Sequence, residues 1–501
     1  MTDNSKLQVA WKNNTHPQWY RDPGLRKNCI LVAFMYLGTY SLGYDSALFT
    51  GLLSMPQWNE YFDAPSGKRL GLIMASMCIP QIIAYPAGAW FSDRLGRKKA
   101  TCIGCSGIVV GAFIGCFARN EGMLIAGRVV VGSFTAIVLV STTCWINELL
   151  HPRMRGIASA LQSDTYYVGA IISSWCTFGT LYWTGSEWSW RLPTLLQGLG
   201  PLVLLVAAFF CPESPRWLVS QGRKEEAWSI FARYHANGDK DDELVRGELE
   251  EVIHTIRKEK EVSESWRSLV KTRGNRKRML ILTIIASGPA GNGVLIIASL
   301  LPPILRLVGI QDPKEINAIS GGLAIFNWLA CIAGSLFVDK LGRRPLWLLS
   351  TGSMLVAYVI ITALAAAFTH TPDKAIGEAF IAVLFLYYGS YSIAWTPLPY
   401  LYSAEILPFS IRAKAMAYSG AVSNILLTIS VYVNPIILEA IGWKFYGFFV
   451  ASLAVYLFLE WLLFIETRGR TIEQVSALFE DTRRSARHSE DKHLEKENSG
   501  D

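Results

Sequence analysis

Asp45, Arg128 and Asp164 are ionisable residues set inside runs of the chain that are otherwise apolar. A carboxylate and a guanidinium in such surroundings attract one another, and protonating the acid releases the base, so one proton is exchanged for a change of contact. A charge at bilayer depth costs at least about 2.5 kcal/mol on insertion scales, so each group needs a partner or a cavity. If the first run enters near Asn28, Asp45 lies roughly 25 Å along it, and Arg128 lies about 10 Å from the outer end of its own run. In a core of about 30 Å these depths agree to about one helical turn. Asp45 and Arg128 are therefore expected to pair, either as a proton-coupling site or as a structural ion pair. Asp164, about 13 Å into its run, is expected to be a second titrating group or a substrate ligand.

Polar and aromatic side chains share these runs. Tyr36, Tyr40 and Tyr44 fall at i, i+4 and i+8, one face of a helix, where they either pack a neighbour or line a site. Gln162, Ser163, Tyr166 and Tyr167 make polar i, i+4 pairs, Ser423 and Asn424 add polarity further on, and Trp395 precedes Thr396 and Pro397. Amides and hydroxyls of this kind replace the hydration of a polar solute, and an aromatic face covers its C–H surface. No GxxxxGK[ST] phosphate loop is present, which disfavours an ATP-driven pump. The nine cysteines fall in or beside apolar runs; Cys102 and Cys105 form a CxxC with no nearby His or second pair, so ordinary buried thiols are expected and no metal or cofactor.

The elements that must position these residues are set by composition. Of 501 residues 51% are hydrophobic and 17% charged, too apolar for an ordinary soluble chain. About twelve runs have the roughly 20-residue length that crosses a bilayer core, near 29–53, 70–91, 100–118, 123–146, 157–183, 192–211, 279–305, 318–338, 346–368, 376–402, 412–434 and 444–465. Helices are expected, because the ten-residue alternation of a membrane barrel is absent. The polar start of the chain is no cleaved signal peptide, so the first span serves as its own insertion signal. Arg21, Arg26 and Lys27 flank it, and DRLGRKK and DKLGRRP follow the second and eighth runs, which places both termini and the 212–278 connection in the cytosol. That sidedness accounts for the excess of 47 Lys and Arg over 40 acids without a nucleic-acid partner. It also sets aside the sequon at Asn13.

The chain is written twice. GAWFSDRLGRKK, from Gly88, is echoed by GSLFVDKLGRRP, from Gly334, and WINELLHPRMRG by LYSAEILPFSIRA. The same landmarks in the same order imply two pseudo-symmetric six-helix bundles, 29–211 and 279–465, by duplication. A cytosolic tail (1–28) precedes them. Segment 212–278 reads as short amphipathic cytosolic helices, and the tail 466–501 is expected to be disordered after about 480.

The repeated G-x4-D-[RK]-x-G-R-[RK], GRVVVG, PESPRWL at 212–218 and ETRGRTIEQ at 466–474 resemble the sugar porter family of the major facilitator superfamily. GYDSALFTGLLSMPQW, TYYVGAIISSWCTFGT and WTPLPYLYSAEILPFSIRAKA resemble its fungal lactose-permease-like, sugar:proton symporter branch. The resemblance covers about residues 25 to 475 and implies an all-α membrane protein of twelve transmembrane helices. It also implies a latch at the cytosolic helix ends, formed by Asp93, Arg94, Arg97, Glu148, Arg155, Glu213 and Arg216 in one half and Asp339, Lys340, Arg343, Glu405 and Arg412 in the other, which biases two states of similar energy. Asp45 and Arg128 match the family's coupling pair, and Trp395 its substrate-stacking tryptophan. In the seventh span Gly291 and Asn292 are kept, but the family's Gln pair reads Ser287 and Gly288, its two tyrosines read Ile297 and Ala298, and the fifth-span amide reads Ser163. With these losses, Asn292, Trp395, Ser163, Asp164, Tyr166, Tyr167, Tyr44 and Asn424 are the expected substrate contacts.

The expected function is proton-coupled import of a sugar or disaccharide by a monomer in the plasma membrane, not an enzyme activity. A transporter or exporter of a less hydroxylated metabolite, and a membrane sugar sensor that does not transport, are the alternatives.

Overall fold

The computed structural model describes residues 13–16, 18–261, 266–469 and 472–479. The expected disordered tail after 480 and the first twelve residues lie outside them. Among the described residues the regular structure is entirely helical, and the chain is a multi-pass membrane protein of twelve spans. The first half contains Pro23–Met35 with Leu37–Ser54, Gly67–Leu95, Arg97–Cys116, Glu121–Leu149, Arg155–Thr180, and Trp188–Leu196 with Leu199–Phe210. The second contains Arg273–Gly291 with Val294–Leu307, Pro313–Leu341, Arg343–His370, Lys374–Ala394 with Leu398–Ile406, Phe409–Ile441 and Tyr446–Leu463. Nine helical stretches among the described residues are long and apolar enough to cross a bilayer, one of them holding both final spans. The first and fifth spans fall outside that set; they are the ones that carry Asp45 and Asp164.

Two compact units result, 1–65 with 72–263, and 66–71 with 264–501. The first span starts ahead of the expected residue 29. Asp22 caps it by accepting from the Leu25 amide at 2.9 Å, with Pro23 pre-set at the first helical position. Segment 212–278 is divided between the units. Helices Pro215–Ser220, Lys224–His235 and Glu243–Glu261 belong with the first, bringing Ala227, Phe231, Ala232 and Val245 into buried clusters; Ser268–Lys271 belongs with the second.

Glycines bring backbones together where the site is built. A Cβ at Gly43 would stand 1.9 Å from the Tyr166 carbonyl oxygen, and one at Gly169 would stand 2.1 Å from that of Tyr40, so the first and fifth spans cross in backbone contact. Likewise a Cβ at Gly132 would meet the Met77 carbonyl at 2.1 Å, pressing the fourth span on the second. Because the opposing atom at Gly43 belongs to the backbone, no rotamer change relieves the clash. Gly43→Ala is expected to cost about 1–3 kcal/mol as overpacking, read as a lower melting temperature of the purified protein; an unchanged value would show that the spans are loosely apposed.

Candidate functional site

Asp45 is buried, on the turn after Ser41 in the first span. Its Oδ1 accepts a hydrogen bond from Gln197 Nε2, while its Oδ2 is buried without a hydrogen-bond partner. Gln197 lies between the two helices of the sixth span. Arg128 is placed by the Gly132 contact one turn along the fourth span. Its Nε donates to the Ile73 carbonyl at 2.9 Å and its guanidinium sits 4.3 Å from the ring centre of Phe49, one turn from Asp45 on the same face. The expected proximity of Asp45 and Arg128 is present through Phe49, which lies one turn from the acid and against the guanidinium. The expected direct ion pair is not: a carbonyl and an aromatic face hold the arginine, and an amide holds the acid. Gln197 is the residue that sequence reasoning missed. Its signal was an amide inside LLQGLG, an apolar run with no other use for one.

The remaining first-unit candidates are spread over several contacts. Tyr44 is buried and its hydroxyl donates to the Pro193 carbonyl at 2.9 Å, so it ties the first span to the sixth. Tyr166 and Tyr167 meet edge to face at 5.5 Å, and Tyr166 is hydrogen-bonded to Ser46, beside Asp45. Gln162 donates to Thr143 Oγ1 at 2.8 Å. Ser163 is exposed and Asp164 half-buried. In the second unit Asn424 is half-buried, its carbonyl accepting from Thr428 at 2.8 Å.

The seventh span is broken twice. Its first helix ends at Gly291 and the second starts at Val294, with Gly293 left-handed at φ 89°; Leu300 then departs from helical geometry ahead of Pro302 and Pro303. Asn292 holds the first break together. Its Oδ1 accepts from the Val294 amide at 3.0 Å, and its main-chain oxygen accepts from the Tyr387 hydroxyl at 2.9 Å. Only Nδ2 is left without a partner, and it is buried. Asn292 therefore takes up the first free amide of the second half-helix, Val294, across Gly293, and leaves one buried amide donor unpartnered.

Gly288, one of the two positions where the family's glutamines stand, is occupied from across the unit. A Cβ there would lie 1.8 Å from Cζ3 of Trp395, so only glycine admits the indole. Trp395 is 2% exposed, edge-on to Trp347 at 4.7 Å and to Tyr456 at 6.0 Å, and parallel to Tyr391 at 6.5 Å. Its Nε1 donates to Thr351 Oγ1 at 3.1 Å. Ser287 Oγ accepts from Tyr456 at 2.8 Å. Of the replaced tyrosine positions, Ile297 is buried and Ala298 exposed.

The expected latch residues form two networks of the same design, each inside its own unit. Arg97 grips Glu148 with Nε and Nη2 at 2.8 and 3.0 Å and reaches Asp93 at 3.2 Å. Ser214 also donates to Glu148, at 2.5 Å. Arg343 binds Glu405 with Nε and Nη2 at 3.2 and 2.9 Å, and Thr467 donates to Glu405 at 2.5 Å. Each arginine opens a helix behind a left-handed glycine, Gly96 and Gly342, both at φ 94°. The free amides of that first turn are taken by a carboxylate: Glu213 accepts from Arg97 and Lys98 at 3.0 and 3.1 Å, and Glu466 from Arg343 and Arg344, both at 3.0 Å. PESP and ETRG are thus a third pair of repeated landmarks that comparison of the halves overlooked. Burial works against the charge on Glu466, but backbone N–H bonds from Arg468, Arg343, Arg344 and Thr467 prevail and hold its carboxyl below the ordinary range. A depressed folded value means the cap stabilises at neutral pH and is lost only as pH falls through that value.

Arg94 is exposed, its guanidinium 5.9 Å from the Trp90 ring centre. Arg216 is half-buried. Arg412 turns back on its own helix start, donating to the Leu407 carbonyl at 3.0 Å, and Lys340 is exposed with its carbonyl held by Arg468. The side chains of Arg155 and Asp339 lie outside the described residues.

The Sugar (and other) transporter family model matches residues 31–479. The Sugar transporter STL1 of Saccharomyces cerevisiae is 29% identical over 87% of this chain and 78% of its own, and the High-affinity glucose transporter of Kluyveromyces lactis 28% over 88% and 82%. The MFS-type transporter oryC of Aspergillus oryzae is 28% identical over 87% and 82%. Among solved structures, the inward open conformation of the xylose transporter XylE from E. coli superposes with a TM-score of 0.72 at 19% identity, covering 90% of this chain and all of that one. XylE bound to 6-bromo-6-deoxy-D-glucose gives 0.70 at 20% identity over 90% and 99%. A match across nearly the whole length, together with the broken seventh span and the duplicated helix-end networks, assigns the chain to the sugar (and other) transporter family of the major facilitator fold.

Proposed function

We propose that this chain is a proton-coupled symporter that imports a sugar or disaccharide by alternating access, acting as a monomer in the plasma membrane with both termini cytosolic. The observation that carries the coupling is Asp45: an acid buried in the first unit, one oxygen unpartnered, with Arg128 held nearby by Ile73 and Phe49 rather than by the acid itself. Protonated and deprotonated forms of Asp45 would then differ in whether they draw Arg128 off those contacts, which is the differential interaction a coupled conformational change requires. Sugar as cargo is supported by the family and by relatives that are sugar and glucose transporters; XylE, whose fold this chain shares, is a proton:xylose symporter.

One observation favours a second reading, a less hydroxylated metabolite carried by the same machine in either direction. Gly288, where a sugar-gripping amide is expected, is filled by the Trp395 indole, and Ile297 and Ala298 supply no hydroxyl. Each hydrogen bond forgone is worth about 0.5–1.5 kcal/mol. Uptake of labelled lactose, cellobiose, glucose and xylose, with and without a proton uncoupler, in a transport-deficient cell separates the readings. Uncoupler-sensitive accumulation of one of them is expected; no uptake of any, with the protein at the cell surface, would remove the sugar reading and leave the second.

A further inference from the structure

The other unit also holds an intramembrane acid, unused by the scheme above. Glu460, in the final span, is 0% exposed. Its Oε1 accepts from Thr351 Oγ1 at 2.9 Å, and its Oε2 is buried with no hydrogen-bond partner. Thr351 is the residue that also receives the Trp395 indole N–H, so the chain runs Trp395 N–H to Thr351 O–H to Glu460 carboxyl. We propose that Glu460 is a proton-binding site of the second unit, and that its occupancy is linked through Thr351 to the position of Trp395.

The surroundings leave few alternatives. On its own helix Tyr456, one turn earlier, spends its hydroxyl proton on Ser287. From the ninth span Arg344 reaches the residue next to Glu460, its Nη2 donating to the Trp461 carbonyl at 2.7 Å and its Nε buried without a hydrogen-bond partner. The tenth span contributes Tyr391, stacked parallel to Trp395, and the seventh offers only the neutral Ser287. No cation stands within ion-pair distance of Glu460 among the described residues, and one carboxyl with one hydroxyl is too small an oxygen set for a metal ion. A carboxyl in this position changes charge by binding or releasing a proton, and Oε2 is the atom free to take it.

The link has a direction. The Thr351 hydroxyl has a single proton, and giving it to Glu460 leaves the oxygen lone pair to accept from the indole. A carboxylate draws that proton more strongly than a neutral acid does, which polarises the hydroxyl toward the acid and strengthens its hold on the Trp395 N–H. Binding a proton at Oε2 slackens both bonds. The indole in question fills the space over Gly288 and lies against Tyr456, whose ring in turn occupies the space over Gly291. Loosening it therefore acts on both glycines of the broken seventh span. This inference rests on the transport reading only in giving Trp395 a substrate to report.

Infrared difference spectroscopy of the full-length protein in lipid nanodiscs, in H2O and D2O across the pH range in which it stays folded, reads the proton directly. The expected result is a deuterium-sensitive band of a protonated carboxylic acid that Glu460→Gln removes, Asp45→Asn leaves in place, and Thr351→Val shifts. If Glu460→Gln fails to fold, the shift in Thr351→Val still decides. A band absent at every pH, or one indifferent to both changes, would overturn the proposal. These spectra need no substrate, so they stand even if the uptake experiment finds none. With a substrate in hand, Glu460→Gln is expected to remove one step from the pH profile of its affinity, and an unchanged profile would refute the link to Trp395.

Discussion

Asp45→Asn is expected to abolish uphill accumulation of the substrate while leaving exchange across the membrane intact. Asparagine is nearly isosteric and still accepts from Gln197 through its side-chain oxygen, so the packing of the first, fourth and sixth spans is kept. What it removes is the choice between a neutral and a charged group at Oδ2, the atom that has no partner. Without that choice Arg128 stays on Ile73 and Phe49 in every state, and the two halves of the cycle lose their dependence on the proton. The measurement is accumulation ratio against an imposed proton gradient, paired with counterflow of labelled substrate in the absence of one. Wild-type accumulation by the variant would take Asp45 out of the mechanism. Loss of counterflow as well would mean that it serves substrate binding or folding.

The second large effect is expected at the helix ends. Glu148→Gln leaves the Arg97 guanidinium, 11% exposed as a side chain, without its bidentate carboxylate, and leaves Ser214 with a weaker acceptor. Breaking a buried pair by removing one partner costs about 3–5 kcal/mol. The matching change in the other unit, Glu405→Gln, is expected to cost less, because that carboxylate's side chain is 24% exposed against 12% for Glu148 and water replaces part of what is lost. Melting temperatures of the two purified variants test the order. Equal losses, or a larger one for Glu405→Gln, would show that exposure does not set the strength of these pairs.

Much of this was legible in the sequence because it was written in length, charge and repetition. Twelve apolar runs, two copies of a charged corner and an acid in an apolar run are local features; the resemblance gathers Arg97 with Glu148 and Arg343 with Glu405 into the latch, and the structure adds which of them pair. What was not legible depended on direction within a helix. Nothing in GYDSALF says that Asp45 faces Gln197, or that Arg128 prefers a carbonyl and a ring to the acid. In the sequence Glu460 is a single charge near the end of a span, which nothing local distinguishes from an interfacial residue. Its burial becomes evident only when Thr351, more than a hundred positions earlier, is brought against it. The glycine at 288 looked like a lost ligand in the sequence and proves to be room for an indole.

Glu213 and Glu466 each leave the sixth span of their own half and cap the start of its third. The outgoing chain is thereby tied back to a corner made three spans earlier, which braces one end of the sixth span of each half against the start of its third. The bracing is done with backbone amides and a single carboxylate beside a positive-φ glycine. Under the alternating access proposed above, a half braced in this way would move as one piece.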